Sequence, residues 1–438
     1  MQIKITKNKF YGYLCAFAGI LSMNPYFLWP SFAGGVLVYF TYILYIISIS
    51  YLIKSSARFR LSKSNFLIGV LFLIMYTHIY VLGATGISAQ TLISGLLAYV
   101  NLFLLATSEG SVRKSIFEKF VILFIISLIP GLIYYILETI GISLSIGTLQ
   151  SQNQLAYANS AEFMGNSGYY KLYIGAVMRV SANTRFSGIY DEAGLVGTVS
   201  ALLLIARKFE IKKDKKCRWL LLFNIISFSL AGYLLIAIYF FVKWIRKGQW
   251  KLCVGIIAGI AVLYGFLNMH TSNTLINNLQ SRIEITTTGI SLINNRETSV
   301  FEKGYQEFTN ASLYRRIMGY GRGASSQNRY MSGSSSYKCV VYDYGYWGFF
   351  LMMLIITYCY FRQERGKKVD VWELISFYAV FLVSIYQRPA IMYAYYFIIF
   401  VMSKEEKKLR QQNKEKIKKE KAAAKAESKQ EKLSLIHI

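Results

Sequence analysis

Several apolar stretches between Phe10 and Met402 reach 18 or more residues, the length a helix needs to cross a hydrocarbon core about 30 Å thick. No soluble domain is built from so many of them. Over 438 residues the chain is 54% hydrophobic with a mean hydropathy of +0.37. The reading that follows is all-α: a polytopic helical membrane protein. The net charge of +27 would suggest nucleic acid in a soluble chain. Here most of the cations sit between apolar stretches, where they set orientation in a membrane, so a nucleic-acid partner is not expected. The five cysteines are scattered and the three histidines stand far apart. Neither a disulfide framework nor a metal site is expected.

Taken in order, the spacing predicts helices over Phe10–Trp29, Ser31–Ile53, Phe66–Gly83, Ala89–Thr107 and Phe120–Ile140, the last kinked at Pro130. A polar, aromatic segment, 141–189, follows, and a sixth helix runs from near Tyr190 to Ala206. The stretch Trp219–Phe241 has basic clusters on both flanks and Ser227, Ser229 and Gly232 at its middle. It is expected to enter and return as two short helices, because one straight span would leave a basic cluster outside. An ordinary span with one misplaced basic loop is the competing reading. Helices over Trp250–Met269, Cys339–Phe361, Val371–Tyr386 and Ala390–Met402 complete a set of about 12. Residues 1–402 then form one transmembrane domain with both termini in the cytoplasm. The start, Met1 to Lys9, shows no cleavable signal pattern. The Lys/Glu/Ala-rich tail, 403–438, is read as a cytoplasmic segment able to touch anionic lipid.

The longest polar interruption is a large outer loop, 270–338. It carries Arg282, Arg296, Arg315, Arg316, Arg322, Arg329, Lys303 and Lys338 against Glu284, Glu297, Glu302 and Glu307. It also holds Gly319-Tyr-Gly-Arg-Gly-Ala-Ser-Ser326 and a serine run from Ser332 to Ser336. Arginine forks take phosphate oxygens in pairs, and a Gly/Ser backbone lets amides approach an anion. A phosphate-bearing substrate is the reading these residues support, with a solvated basic loop as the bland alternative. The strongest local pattern is Arg185-Phe-Ser-Gly-Ile-Tyr-Asp-Glu192-Ala-Gly-Leu-Val-Gly197, an arginine and two acids at the mouth of a helix. Carboxylates entering a membrane helix are costly and functional by default. Asp191 and Glu192 could instead cap the helix, with Arg185 pairing to one of them.

These elements together resemble the Wzy-type polymerases of bacterial O-antigen and capsular polysaccharide. The resemblance covers most of Phe10 to Met402. It rests on the helix count, the late outer loop, the Arg-x-Ser-Gly-x-Tyr-x-Glu-x-Gly element, the Ser/Gly turn at Ser227–Gly232, and Gly-Tyr-Gly-Arg-Gly ahead of Tyr-Gly-Tyr-Trp-Gly. The related O-antigen ligases share the layout but carry a loop histidine upstream of Gly-x-x-Gly. Here Gly345-Tyr-Trp-Gly348 fits the end of that pattern, Ser334 and Ser335 occupy its start, and His270 stands elsewhere.

The resemblance implies an enzyme of the bacterial cytoplasmic (inner) membrane that works at its outer face without a cofactor. Its substrate would be an oligosaccharide repeat unit on a polyprenyl diphosphate. Membrane lipid surrounds it, and a flippase and a chain-length regulator are candidate partners. Departure of a diphosphate needs fixed positive charge, which guanidinium groups supply without a metal. Arg185 and Arg322 are the candidates for that role, and Glu192, then Asp191, for the base that deprotonates the acceptor. Arg315, Arg316, Arg329 and Arg179, with Tyr320 and Tyr337, are candidate substrate contacts. The rival classes are an O-antigen ligase and a transporter such as a lipid-linked oligosaccharide flippase. Transporters usually show internal symmetry and charges within the spans. This chain clusters its charges in loops.

Overall fold

The computed structural model describes residues 7–55, 62–82, 88–150, 169–180, 185–249, 283–286, 289–292, 299–331, 336–362 and 370–403, with isolated helical positions between 251 and 265. Most of the expected ninth helix, the tail beyond Ser403, residues 332–335 of the serine run, His270, Arg282 and Arg296 lie outside them.

The first half is a set of long helices. These are α1 (Lys7–Leu21), α2 (Val38–Ser55), α3 (Lys63–Tyr76), α4 (Ala89–Thr107) and α5 (Gly110–Thr139). A π turn, Thr77–Leu82, carries α3 onward. Side chains set several starts: Ser62 accepts the Asn65 amide and Ser88 the Thr91 amide, filling donors that a helix leaves open. α1 stops well short of Trp29, because Asn24 takes a positive φ ahead of Pro25. α5 begins ten residues before Phe120 and continues through Pro130.

Then come α6 (Ala193–Ala206), α7 (Lys215–Ile226) and α8 (Leu230–Arg246). The stretch Trp219–Phe241, expected as two short helices, is interrupted between Ile226 and Leu230. The insert contributes α9 (Ser299–Thr309), α10 (Leu313–Met318) and α11 (Ala324–Gln327). The chain closes with α12 (Tyr337–Phe361), α13 (Val371–Gln387) and α14 (Ala394–Phe397), the last extended by a π turn, Ile398–Met402.

Among the described residues, five helices are long and apolar enough to cross a membrane: α2, α3 with its π turn, α4, α5 and α12. Phe10–Leu21, Ala193–Ala206 and Val371–Tyr386 are apolar but shorter. The central core joins α1, α5, α6, α12, α13, α14 and the terminal π turn through Ile20, Phe124, Leu202, Ile355, Phe381, Phe397 and Ile398.

The fold is mostly helical, but the all-α expectation misses two small sheets. β1 (Gly147–Gln150), β2 (Tyr169–Tyr173) and β3 (Ala176–Arg179) form an antiparallel sheet in that order, in register at Gly147↔Leu172 and Tyr173↔Ala176. The aromatic run at Tyr169 favours a pleated surface, and Gly175, at φ 77°, makes the tight turn. A second hairpin pairs β4 (Ile283–Thr286) with β5 (Gly289–Leu292). The insert is therefore more than a solvated loop. Phe301, Phe308 and Met331 close a small core of their own on Val341 and Tyr342 at the start of α12.

Candidate functional site

The segment Arg185–Glu192 is wedged against α5 and α7 before α6 begins. Phe186 is buried and stacks on Phe223 at 5.6 Å. Gly188, at φ 62°, lies so close to Leu128 that any side chain would overlap it. The first sheet fixes the end of the segment: Ser187 Oγ donates to the Val177 carbonyl at 3.2 Å, and the Tyr170 hydroxyl donates to the Asp191 carbonyl. Arg185 reaches the break between α7 and α8. Its Nε donates to the Ser227 carbonyl at 3.2 Å and its Nη2 to the Phe228 carbonyl at 2.7 Å. Those carbonyls stand at a helix end, where no intrahelical donor serves them. The turn also packs on α6: a side chain at Gly197 would overlap Ser229, and Asn224 Nδ2 donates to the Gly197 carbonyl at 2.8 Å.

Glu192 occupies the N-cap position of α6 without capping it. Its carboxylate pairs instead with Arg388, at the junction of α13 and α14. Burial works against the charge on Arg388, but the Glu192 and Asp191 carboxylates more than offset it, so the pKa lies above the ordinary arginine value. Asp191, Arg388, Pro389, Tyr393, Tyr395 and Asn24 line a crevice of about 230 Å³. Tyr393 is half exposed within it. The second motif is the glycine stretch Gly319–Ser326.

That motif folds differently from the expectation of a phosphate cradle. The stretch from Gly319 to Ser325 runs along Tyr342–Gly345, with the Tyr320 amide donating to the Tyr342 carbonyl at 3.0 Å and the Gly321 amide to the Asp343 carbonyl at 2.8 Å. Gly319 (φ 81°) and Gly345 (φ 67°, ψ 177°) meet backbone to backbone, with no room for a side chain at either. The anion served by the loop amides is internal. The buried Asp343 carboxylate accepts the Ser325 amide at 2.6 Å and the Gly323 amide at 3.3 Å. Arg322, just ahead of those amides, is exposed and lies over the Tyr80 ring at 5.0 Å. His78, in the same π turn as Tyr80, is buried, and its Nε2 meets the Tyr344 carbonyl at 2.7 Å, where Gly345 breaks α12.

The other predicted contacts scatter. Arg315 lies over Tyr320, whose ring stacks on Tyr342 at 4.7 Å and packs on Phe308. Arg316 is half-buried, with its Nε enclosed and unpartnered. Arg329 is exposed. Arg179 stands at the end of β3 opposite Tyr170. Tyr337 packs against Phe349 and Tyr386. The structure thus brings Asp191 and Glu192 together beside Arg388, and places Arg322 over Tyr80. It adds Arg388, Asp343, Tyr80 and His78, which the sequence reading did not single out. The signal for Arg388 was present: an arginine in a very short turn between two apolar stretches. Among the described residues, no three His, Cys, Asp or Glu side chains converge as metal ligands.

A larger cavity, about 1050 Å³, lies at the other end of α6, lined by Lys114, Arg207, Lys243, Arg246, Asp370 and Glu373 among others. Around it Arg207 Nη1 meets Glu118 at 2.6 Å, Lys216 meets Glu118 at 2.5 Å, and Arg246 meets Asp370 at 2.6 Å. It gathers the basic helix ends, whereas the crevice at Asp191 gathers the motif residues. No family model, curated protein or solved structure matches the chain.

Proposed function

We propose that the protein polymerises polyprenyl-diphosphate-linked oligosaccharide repeat units into surface polysaccharide, O-antigen or capsule, at the outer face of a bacterial cytoplasmic membrane. In this reading it crosses the bilayer about 12 times, with α7 and α8 as a returning pair, and the insert faces outward. The observation that carries the proposal is the crevice itself. Asp191 and Arg388 line it, and the Glu192 carboxylate pairs with Arg388.

The chemistry assigned to these groups is a single displacement. The acceptor hydroxyl gives its proton to a carboxylate, its oxygen bonds to the anomeric carbon, and the bond from that carbon to the diphosphate breaks. Polyprenyl diphosphate leaves. Arg388 and Arg322 compensate the charge that develops on it. Asp191 and Glu192 are the two candidates for that base, and the Glu192 carboxylate also pairs with Arg388. Arg185, which donates to Ser227 and Phe228, keeps the α7–α8 turn in place.

The test is a glycan ladder from cells lacking the gene, complemented with wild type or with Arg388→Ala. Single repeat units with no ladder, both in the deletion and in the variant at normal protein level, support polymerisation. Full-length polymer held on the lipid carrier would instead identify a ligase, and repeat units trapped on the cytoplasmic face a flippase.

A further inference from the structure

The insert presents an apolar surface that none of the described residues covers. α10 reads Leu313-Tyr-Arg-Arg-Ile-Met318. Leu313 and Tyr314 are each 64% exposed and Ile317 41%. At about 100° per residue these three share one sector of about 100°, and Arg315 falls outside it. The backbone of Ile317 touches Gly345. Beyond Gly345, Tyr346, Trp347 and Phe350 are exposed on α12, one of the helices long and apolar enough to cross a membrane. The patch on α10 is therefore continuous with the outer surface of a candidate span.

We infer that α10 is seated in the membrane surface, with Leu313, Tyr314 and Ile317 in the acyl–headgroup boundary of the phospholipid leaflet around α12. Two observations select lipid as the occupant. The patch joins the exposed surface of a helix long and apolar enough to cross a membrane. Its aromatic members, Tyr314, Tyr346 and Trp347, are the types that collect at the headgroup level. Arg315, on the opposite face of α10, is directed away from the patch and onto Tyr320. The seat links the insert to the bilayer on the flank of the loop that carries Arg322, since Gly319 follows α10 directly. This inference depends on the membrane reading of α12 and not on any catalytic assignment.

Spin labels placed singly at Leu313→Cys, Tyr314→Cys and Ile317→Cys, and at Arg329→Cys as the exposed control, test it in full-length protein whose five native cysteines have been replaced. The protein is reconstituted in phospholipid nanodiscs. Labels at 313, 314 and 317 should collide with dissolved oxygen several-fold more than with a water-soluble nickel chelate, and the label at 329 the reverse. Equal access of the chelate to all four sites overturns the proposal. Protection of 313, 314 and 317 from both reagents also overturns it, because that pattern marks a protein partner, such as a second copy, on the patch. A full-length ladder in cells lacking the gene, with the oxygen-rich pattern intact, would refute the polymerase reading and leave the seat standing.

Discussion

Arg388 holds its charge beside Glu192 and Asp191, and the three groups divide their tasks by position. If Asp191 takes the acceptor proton, Asp191→Asn should cut the polymerisation rate by about 10²–10⁴-fold at normal protein level, the range for a lost general base. Glu192→Gln removes a charge partner and leaves the base, so it should mainly raise KM for the lipid-linked unit. Rates measured on membranes supplied with lipid-linked repeat units separate the two. A larger kcat loss for Glu192→Gln would reverse the assignment. Asp343 plays a different part. Its carboxylate fills the amides of Gly323 and Ser325 from inside the protein, which leaves Arg322 as the exposed charge of that loop. The sequence made Arg322 and the two acids visible. It hid the Asp343 pairing and the Glu192–Arg388 pairing, since those contacts join residues 18 and 196 positions apart and no local pattern records them.

Two elements owe their shape to single residues. α12 is broken at Gly345, whose φ of 67° and ψ of 177° form a combination open essentially to glycine. Gly345→Ala should destabilise the protein by about 1–3 kcal/mol from the backbone alone, before the overlap with Ile317 is counted. A lower melting temperature in detergent, with the thiol of a cysteine at 329 unchanged in accessibility at low temperature, is the expected outcome. The turn between α7 and α8 depends on Arg185 in a similar way. Arg185→Ala strands the Ser227 and Phe228 carbonyls beside α6 and should also lower the melting temperature, and Arg185→Lys should recover only part of it. This turn was legible because small polar residues interrupt an apolar run between two basic clusters. The break in α12 was not. Gly345 sits in an aromatic run that reads as continuous helix, and only its contact with Gly319, from another element, requires the unusual backbone.

At the scale of the molecule, α6, α13 and the last helical segment each run from the Asp191 crevice to the large basic cavity. If the cationic ends stay in the cytoplasm, as the proposed function requires, the crevice and the insert lie on the far side. A membrane-impermeant thiol reagent should therefore label Arg329→Cys in intact spheroplasts and reach Lys208→Cys only after the membrane is opened. Labelling of both from the same side would overturn this orientation. α6, whose head forms part of the crevice, has 14 residues, most of them buried. At 1.5 Å per residue it spans about 21 Å, less than a hydrocarbon core of about 30 Å. Enclosed by its neighbouring helices, it is not held to the thickness of the bilayer. In the proposed orientation the Asp191 crevice is therefore free to lie below the outer headgroup plane, and a lipid-borne phosphate would have a shorter distance to rise.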